Sequence, residues 1–147
     1  MKLLTKNRKA SFEYKFLETF TAGIMLLGSE IKSIRRSNVN ITHAHCYFKD
    51  EELYVKGMHI AEYKESGTHQ NHDPLRERKL LLKKKEIKTL LKAVTTKGIT
   101  IIPVALVMAN NGLVKLEIAL AQGKKLHDKR EDIKRKDIER ETQRKLK

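Results

Sequence analysis

The final 26 residues, Gln122 to Lys147, carry too little apolar surface to join a hydrophobic core, so whatever folds must come from the first 121. This segment has eleven Lys or Arg against six Asp or Glu, and its only sizeable apolar side chains are Leu126, Ile133, Ile138 and Leu146. Only Leu126 and Ile133 fall at a helical spacing, which leaves no continuous stripe to dock on a neighbour. Opposite charges do recur four residues apart, acid first: Glu131 with Arg135, Asp132 with Lys136, Glu141 with Lys145. Each pair is worth about 0.2–0.5 kcal/mol, too little to hold an isolated helix firmly in water. The expectation is a tail that is disordered when free and helical when laid on a large anionic surface.

The charge of the remainder points to the same kind of partner. Of the formal +14, the tail holds +5 and the first 121 residues +9, so the folding part is basic too, which suggests that both touch polyanion. A single cysteine, Cys46, excludes an internal disulfide and fits a reducing compartment. No apolar run reaches membrane-spanning length, and the first residues lack a signal-peptide apolar stretch. The reading is a soluble cytoplasmic protein of one domain plus an appendage, with no membrane partner.

Apolar patterning over the first 121 residues predicts a mainly β domain with two helices. Tyr14 to Ala22 alternates as a strand that Gly23 could bend. Gly28 to Arg36 reads as a short helix, with Ser29 as N-cap, Glu30 in the first turn and Ile31 and Ile34 on one face. Ile41–Lys49 and Leu53–Met58 flank Asp50-Glu51-Glu52 as a hairpin. Ala61 to Arg78 is polar and aperiodic, a long loop of the kind that is usually functional or mobile. Lys83 to Thr96 is the clearest helix, with Ile87, Leu90, Leu91 and Val94 as its stripe and Gly98 as its stop. Ile99–Met108 and Leu113–Ala121 are strands joined through Asn110-Asn111-Gly112, which predicts a type I′ turn. Pro103 lacks a ladder donor, so its strand must lie at an edge or bulge there. Short strands, few helices and a small core predict a compact barrel.

Catalysis finds little support. His43 and His45 stand two apart on a predicted strand and so share a side, and His69 and His72 lie in the loop with Asp73. Neither pair has the cysteine partners of common zinc sites. No phosphate-binding glycine loop or nucleophile elbow occurs, and Cys46 has no positioning acid. Asp73 and Glu77 as Mg²⁺ ligands of a nuclease are opposed by neighbouring Arg76, Arg78 and Lys79, which suit phosphate. With no Trp and only four Tyr and four Phe, an open sheet of stacking aromatics is disfavoured, whereas a barrel with basic edges gripping folded RNA fits.

Five segments together resemble one family, the SsrA-binding proteins or small protein B. They are NRKASFEY (Asn7 to Tyr14), AGIMLLGSEIKSIR (Ala22 to Arg35), GMHI (Gly57 to Ile60), NHDPLRERKLLLKKKEI (Asn71 to Ile87) and GKKLHDKRE (Gly123 to Glu131), in family order over nearly the whole chain. The resemblance implies an OB-type small β-barrel with flanking helices over 1–122 and a basic C-terminal tail over 123–147, disordered when free. It further implies a monomeric, non-catalytic adaptor without cofactor or metal. Such an adaptor binds the tRNA-like part of transfer-messenger RNA (tmRNA) and brings it to stalled ribosomes. There it touches 16S and 23S rRNA and lays its tail, as a helix, in the vacant mRNA channel. A ribosomal or initiation-factor-like OB protein would share the charge and the barrel, but would bind ribosomes equally with or without tmRNA.

The same resemblance assigns roles to particular residues. Glu30 would accept from exocyclic amino groups of exposed bases, with Lys32 and Arg35 holding phosphates beside it. Asn7 and Arg8 match an N-terminal RNA-contact segment, and His59 could stack on a base. Arg76, Arg78 and Lys79 would line the tRNA-like contact, whereas Leu80, Leu81 and Leu82 read as core. In the tail, Lys124, Lys125, Lys129, Arg130, Lys134, Arg135 and Lys136 would engage rRNA phosphates, with His127 near the decoding nucleotides. The chain departs from the family pattern at Ser37 and Asn38, where a glycine and a lysine are usual. It departs again at Val107, Met108 and Ala109, where an aromatic pair is usual, and at Gln122, where a basic residue is common.

Overall fold

The computed structural model describes residues 1–64 and 71–124; the expectations for His69 and for the tail beyond Lys124 fall outside them. Along the chain the elements are β1 (Lys2–Lys6), α1 (Arg8–Glu13), β2 (Tyr14–Ile24), α2 (Gly28–Arg35), β3 (Val39–Asn40), β4 (His45–Lys49), β5 (Glu52–Lys56), β6 (His59–Ile60), β7 (Arg78–Leu81), α3 (Lys84–Ala93), β8 (Ile99–Met108) and β9 (Val114–Gly123).

Seven strands form one sheet in the order β1-β8-β4-β5-β7-β2-β9, and β9 pairs again with β8, so six of them close into a barrel. Every pairing is antiparallel. The long strands β2, β8 and β9 supply most of the wall; β4 and β5 pair along their whole length, but the β8–β4, β5–β7 and β7–β2 junctions are short. The mainly β, barrel-type expectation therefore holds. Closure covers the edges of those six strands, and β1 remains as an edge strand on β8.

The interior is filled from alternate strand positions. Ala22, Leu53, Val55, Leu106, Leu116 and Ile118 are buried there, and Ile34 of α2 and Leu90 of α3 stopper the barrel from outside its wall. The α3 stripe behaves largely as read: Leu90 is buried, Ile87 and Val94 pack on the core and the intervening lysines stay in water, while Leu91 is only half-buried beside an open groove. At Pro103 the register with β9 slips by one residue. The bulge frees the Val104 carbonyl, which accepts from the Asn7 amide at 2.8 Å.

Several expectations need correction. There are three helices among the described residues rather than two; α1, at six residues, is too short to show a period. Arg78 ends the loop by starting β7, because Leu80 must enter the core. Of the three leucines read as core, Leu80 is buried and Leu82 packs partly against it, but Leu81 is half exposed because strand alternation turns it outward. Ser29 is not the N-cap of α2. Leu27 holds that position, and the Glu30 carboxylate accepts its amide at 2.8 Å.

The Asn-Gly turn is not type I′ either. Only Gly112 has positive φ, and the Gly112 amide reaches the Ala109 carbonyl while Ala109 pairs with Leu113. That is a three-residue loop closed by a left-handed glycine. The paired positive φ values of a type I′ turn occur instead at Asp50 (51°) and Glu51 (61°) between β4 and β5.

Candidate nucleic-acid interface

Among the described residues, a fully buried charge lies at the start of α2. Glu30 is fully buried, and both its oxygens are occupied. Arg76 Nη2 donates to Oε1 at 2.6 Å, and Arg78 Nε donates to Oε2 at 2.5 Å with Nη2 close to the same oxygen. Arg78 is itself fully buried and spends its remaining donors on the carbonyls of Met58 (2.6 Å) and Pro74 (3.3 Å). Burial by itself would push the Glu30 carboxyl up. Hydrogen bonds from Arg76, the Leu27 amide and Arg78, together with the Arg78 charge, outweigh burial and hold it below the usual carboxylate range.

Two cations on one anion leave a net positive site, and only Arg76 brings it to the surface, with about a third of its side chain exposed. Its Nη2 also donates to the Met25 carbonyl at 3.2 Å, so the guanidinium is clamped in place. Behind it, the Ser29 hydroxyl meets His72 Nδ1 at 2.8 Å while His72 Nε2 donates to the Ile60 carbonyl at 2.8 Å. Donation from Nε2 leaves Nδ1 to accept from Ser29. These bonds tie the 71–78 segment to α2 and β6.

Exposed groups surround this clamp. Lys32 and Arg35 project from α2 into water, and His59 is exposed on β6. Lys32 Nζ sits 5.3 Å from the Tyr63 ring centre and the Arg36 guanidinium 4.9 Å from it, a pair of cation–π contacts. Asn71 fixes the backbone beneath that ring, accepting from the Tyr63 amide and donating to its carbonyl, both at 2.9 Å. Tyr63 and Arg36 were not picked out from sequence; a lone tyrosine in a polar stretch gives no periodic signal. Lys79, next to Arg78 on β7, points the other way and is paired with Glu52 at 3.0 Å.

Direct base or phosphate contact cannot be assigned to every residue the resemblance named. Glu30 and Arg78 have no surface to offer. Asn7 is equally occupied: its Nδ2 donates to the carbonyls of Pro103 (3.0 Å) and Ile41 (3.3 Å), and its Oδ1 accepts the Ala10 amide at 3.1 Å. It is the N-cap of α1 and a tack holding that helix to the barrel. Arg8, one residue on, is exposed.

Asn7 and Arg8 sit at the α1 end of the barrel, which the Asn7–Ile41 bond joins to the chain just after β3. Lys124 belongs to the α1 end, its amide donating to the Glu13 carbonyl at 2.9 Å and its Nζ to the Ser11 carbonyl at 3.2 Å. Lys125, His127, Lys129, Arg130, Lys134, Arg135 and Lys136 lie outside the described residues. Among the described residues no three His, Cys, Asp or Glu converge as metal ligands, and no helix is long and apolar enough to cross a membrane.

A basic surface organised by a buried acid, on a closed barrel, can be set against known proteins. The family model described as SmpB protein matches residues 4–147. The chain belongs to the SmpB family. SsrA-binding proteins of Cytophaga hutchinsonii and Phocaeicola vulgatus are 56% and 53% identical to it, over 95% and 97% of this chain and 90% and 94% of theirs. That of Thermosynechococcus vestitus is 44% identical over the whole chain and 96% of its own. A solved structure described as "tmRNA-SmpB: a journey to the center of the bacterial ribosome" contains a chain 43% identical to this one. That chain superposes with a TM-score of 0.69 over 83% of this chain and 85% of its own length. Membership in the SmpB family thus extends across barrel and tail together.

Proposed function

We propose that this protein is a non-catalytic RNA-binding adaptor of trans-translation. It binds the tRNA-like domain of tmRNA through the α2 face, delivers that RNA to stalled ribosomes, and places its basic tail in the vacant mRNA channel. The observation that carries this reading is the similarity to SsrA-binding proteins over nearly the full chain, tail included. The α2 face supports it physically. Lys32, Arg35 and clamped Arg76 present donors to phosphate and base edges, while Glu30 and Arg78 hold Arg76 rigid instead of touching RNA. The place of action is the cytoplasm, where ribosomes work.

The deciding experiment is a gel shift with tmRNA, elongator tRNA and rRNA fragments at near-physiological salt, where weak non-specific binding is suppressed. The tRNA-like domain should bind at least about tenfold tighter than elongator tRNA, which is about 1.4 kcal/mol of discrimination. Equal affinity for all three would leave a general basic protein and remove the proposal. If about six phosphates are neutralised, affinity should fall roughly a thousandfold between about 50 and 200 mM salt.

A further inference from the structure

The α1 end of the barrel carries an open cavity of about 330 Å³ that none of the roles above uses. Its walls come from α1, the 42–45 segment and the start of β8, and Asn7 forms part of its lining through the bonds that fix α1. Three flat rings line it: Tyr14, half-buried, and His43 and His45, both exposed. Lys9 and Glu13 also line it, 3.8 Å apart and both substantially exposed, an ion pair loose enough for a phosphate to compete for the ammonium. Released from Lys9, the Glu13 carboxylate is an acceptor suited to an exocyclic amino group or a ring N–H of a base.

Ring faces for stacking, a cation for phosphate and an acceptor for a base edge make up the equipment of an unpaired-nucleotide site. The volume admits a single nucleotide, not a duplex. Location narrows the source. The tail leaves the barrel here, because Lys124 is bonded to Glu13 and Ser11 of the same helix. The cavity is a separate surface from the α2 face, although its wall at His43 lies against Gly57, next to the Met58 carbonyl that Arg78 holds.

We propose that this cavity receives one unpaired nucleotide of ribosomal RNA beside the root of the tail, its base on the His43, His45 and Tyr14 rings and its phosphate at Lys9. The proposal rests on the reading that the tail is laid on ribosomal RNA. It gives the barrel a second RNA contact besides the one assigned to tmRNA.

The test uses full-length protein and measures equilibrium binding to vacant ribosomes and, separately, to the isolated tRNA-like RNA. The double variant His43→Ala/His45→Ala should bind ribosomes about tenfold more weakly, the loss expected for a stacked base, and the tRNA-like RNA within twofold of the parent. The double variant His43→Phe/His45→Phe keeps flat faces and should recover most of the ribosome affinity. Undiminished ribosome binding by the alanine variant overturns the proposal. Equal losses on both RNAs, or no recovery with phenylalanine, also overturn it. A parent protein that holds the tRNA-like RNA but ignores ribosomes would instead remove the tail reading on which the proposal rests.

Discussion

Neutralising Glu30 gives the sharpest test of the buried clamp. Glu30→Gln keeps the side chain's shape but removes the anion shared by Arg76 and Arg78. Arg76 can turn to water, being about one-third exposed, but Arg78 cannot, having no exposed surface. Breaking a buried pair from one side leaves an uncompensated charge and costs about 3–5 kcal/mol. That is a large part of a typical total stability of about 5–15 kcal/mol. With a urea slope of about 1–3 kcal/mol per M for a protein of this size, the midpoint at neutral pH should fall by about 2 M.

The pH dependence supplies an independent sign. The folded carboxyl is held below its ordinary value, so its contribution is complete above the unfolded pKa of about 4.3 and is lost as pH falls through the folded value. The parent should therefore lose stability in acid faster than Glu30→Gln, and the two midpoints should draw together as the pH falls through the folded value. Pairing Glu30→Gln with Arg78→Met should cost less than the sum of the single changes, because the stranded cation is gone. Urea titrations from pH 7 to 3 decide the matter. A variant midpoint within about 0.5 M of the parent at pH 7, or parallel acid limbs, would refute the buried-pair reasoning.

The other predictions concern backbone, thiol and tail. Ser37 stands at φ 61° just after α2, where its amide and that of Asn38 close back on the carbonyls of Ile34 and Ser33. Ser37→Gly should therefore raise stability by about 0.5–1 kcal/mol, read as a higher melting temperature. Gly57 has φ 79°, and a Cβ there would meet the His43 carbonyl at 2.8 Å. Gly57→Ala should cost more than about 2 kcal/mol in urea unfolding and shift the wall of the α1 cavity. Burial pushes the Cys46 thiol well up, so an aromatic disulfide reagent should react with native protein only at the rate of opening, and at once in denaturant. Truncation after Leu126 should leave binding to the tRNA-like RNA within about twofold, because that binding is assigned to the α2 face. It should abolish tagging on stalled ribosomes; tagging at the normal rate would remove the tail mechanism.

Some of this was legible in the sequence because the signal was long or chemically singular. The α3 stripe spans two turns and announces its buried face, and Pro103, with no amide to donate, signals an edge or a bulge, of which the bulge is found. Helix α1 left no period, although Asn7 stood ready as its cap. Turn chemistry misled: the Asn-Gly pair took a bulged loop, while Asp50 and Glu51 adopted the left-handed turn because the strict Lys49–Glu52 register leaves only two residues to reverse the chain. Ser37, where the resemblance expects a glycine, has the positive φ that glycine favours.

The site shows the limit of motif reading more sharply. A motif locates chemistry without stating which direction it faces. Glu30, Asn7 and Arg78 carry the groups expected of RNA contacts, yet each spends its hydrogen-bonding capacity on the protein. What they organise is exposed: Arg76 in one case, the α1 cavity in the other. Weaker RNA binding in a Glu30 or Asn7 variant therefore does not establish a contact, since a loosened clamp or helix has the same effect. Measurement of affinity alongside stability separates the two. A contact residue changes binding and salt slope at constant stability, whereas a framework residue moves both together. By that criterion Lys32 and Arg35 should prove to be of the first kind and Glu30, Arg78 and Asn7 of the second, while Arg76, paired with buried Glu30, should move both.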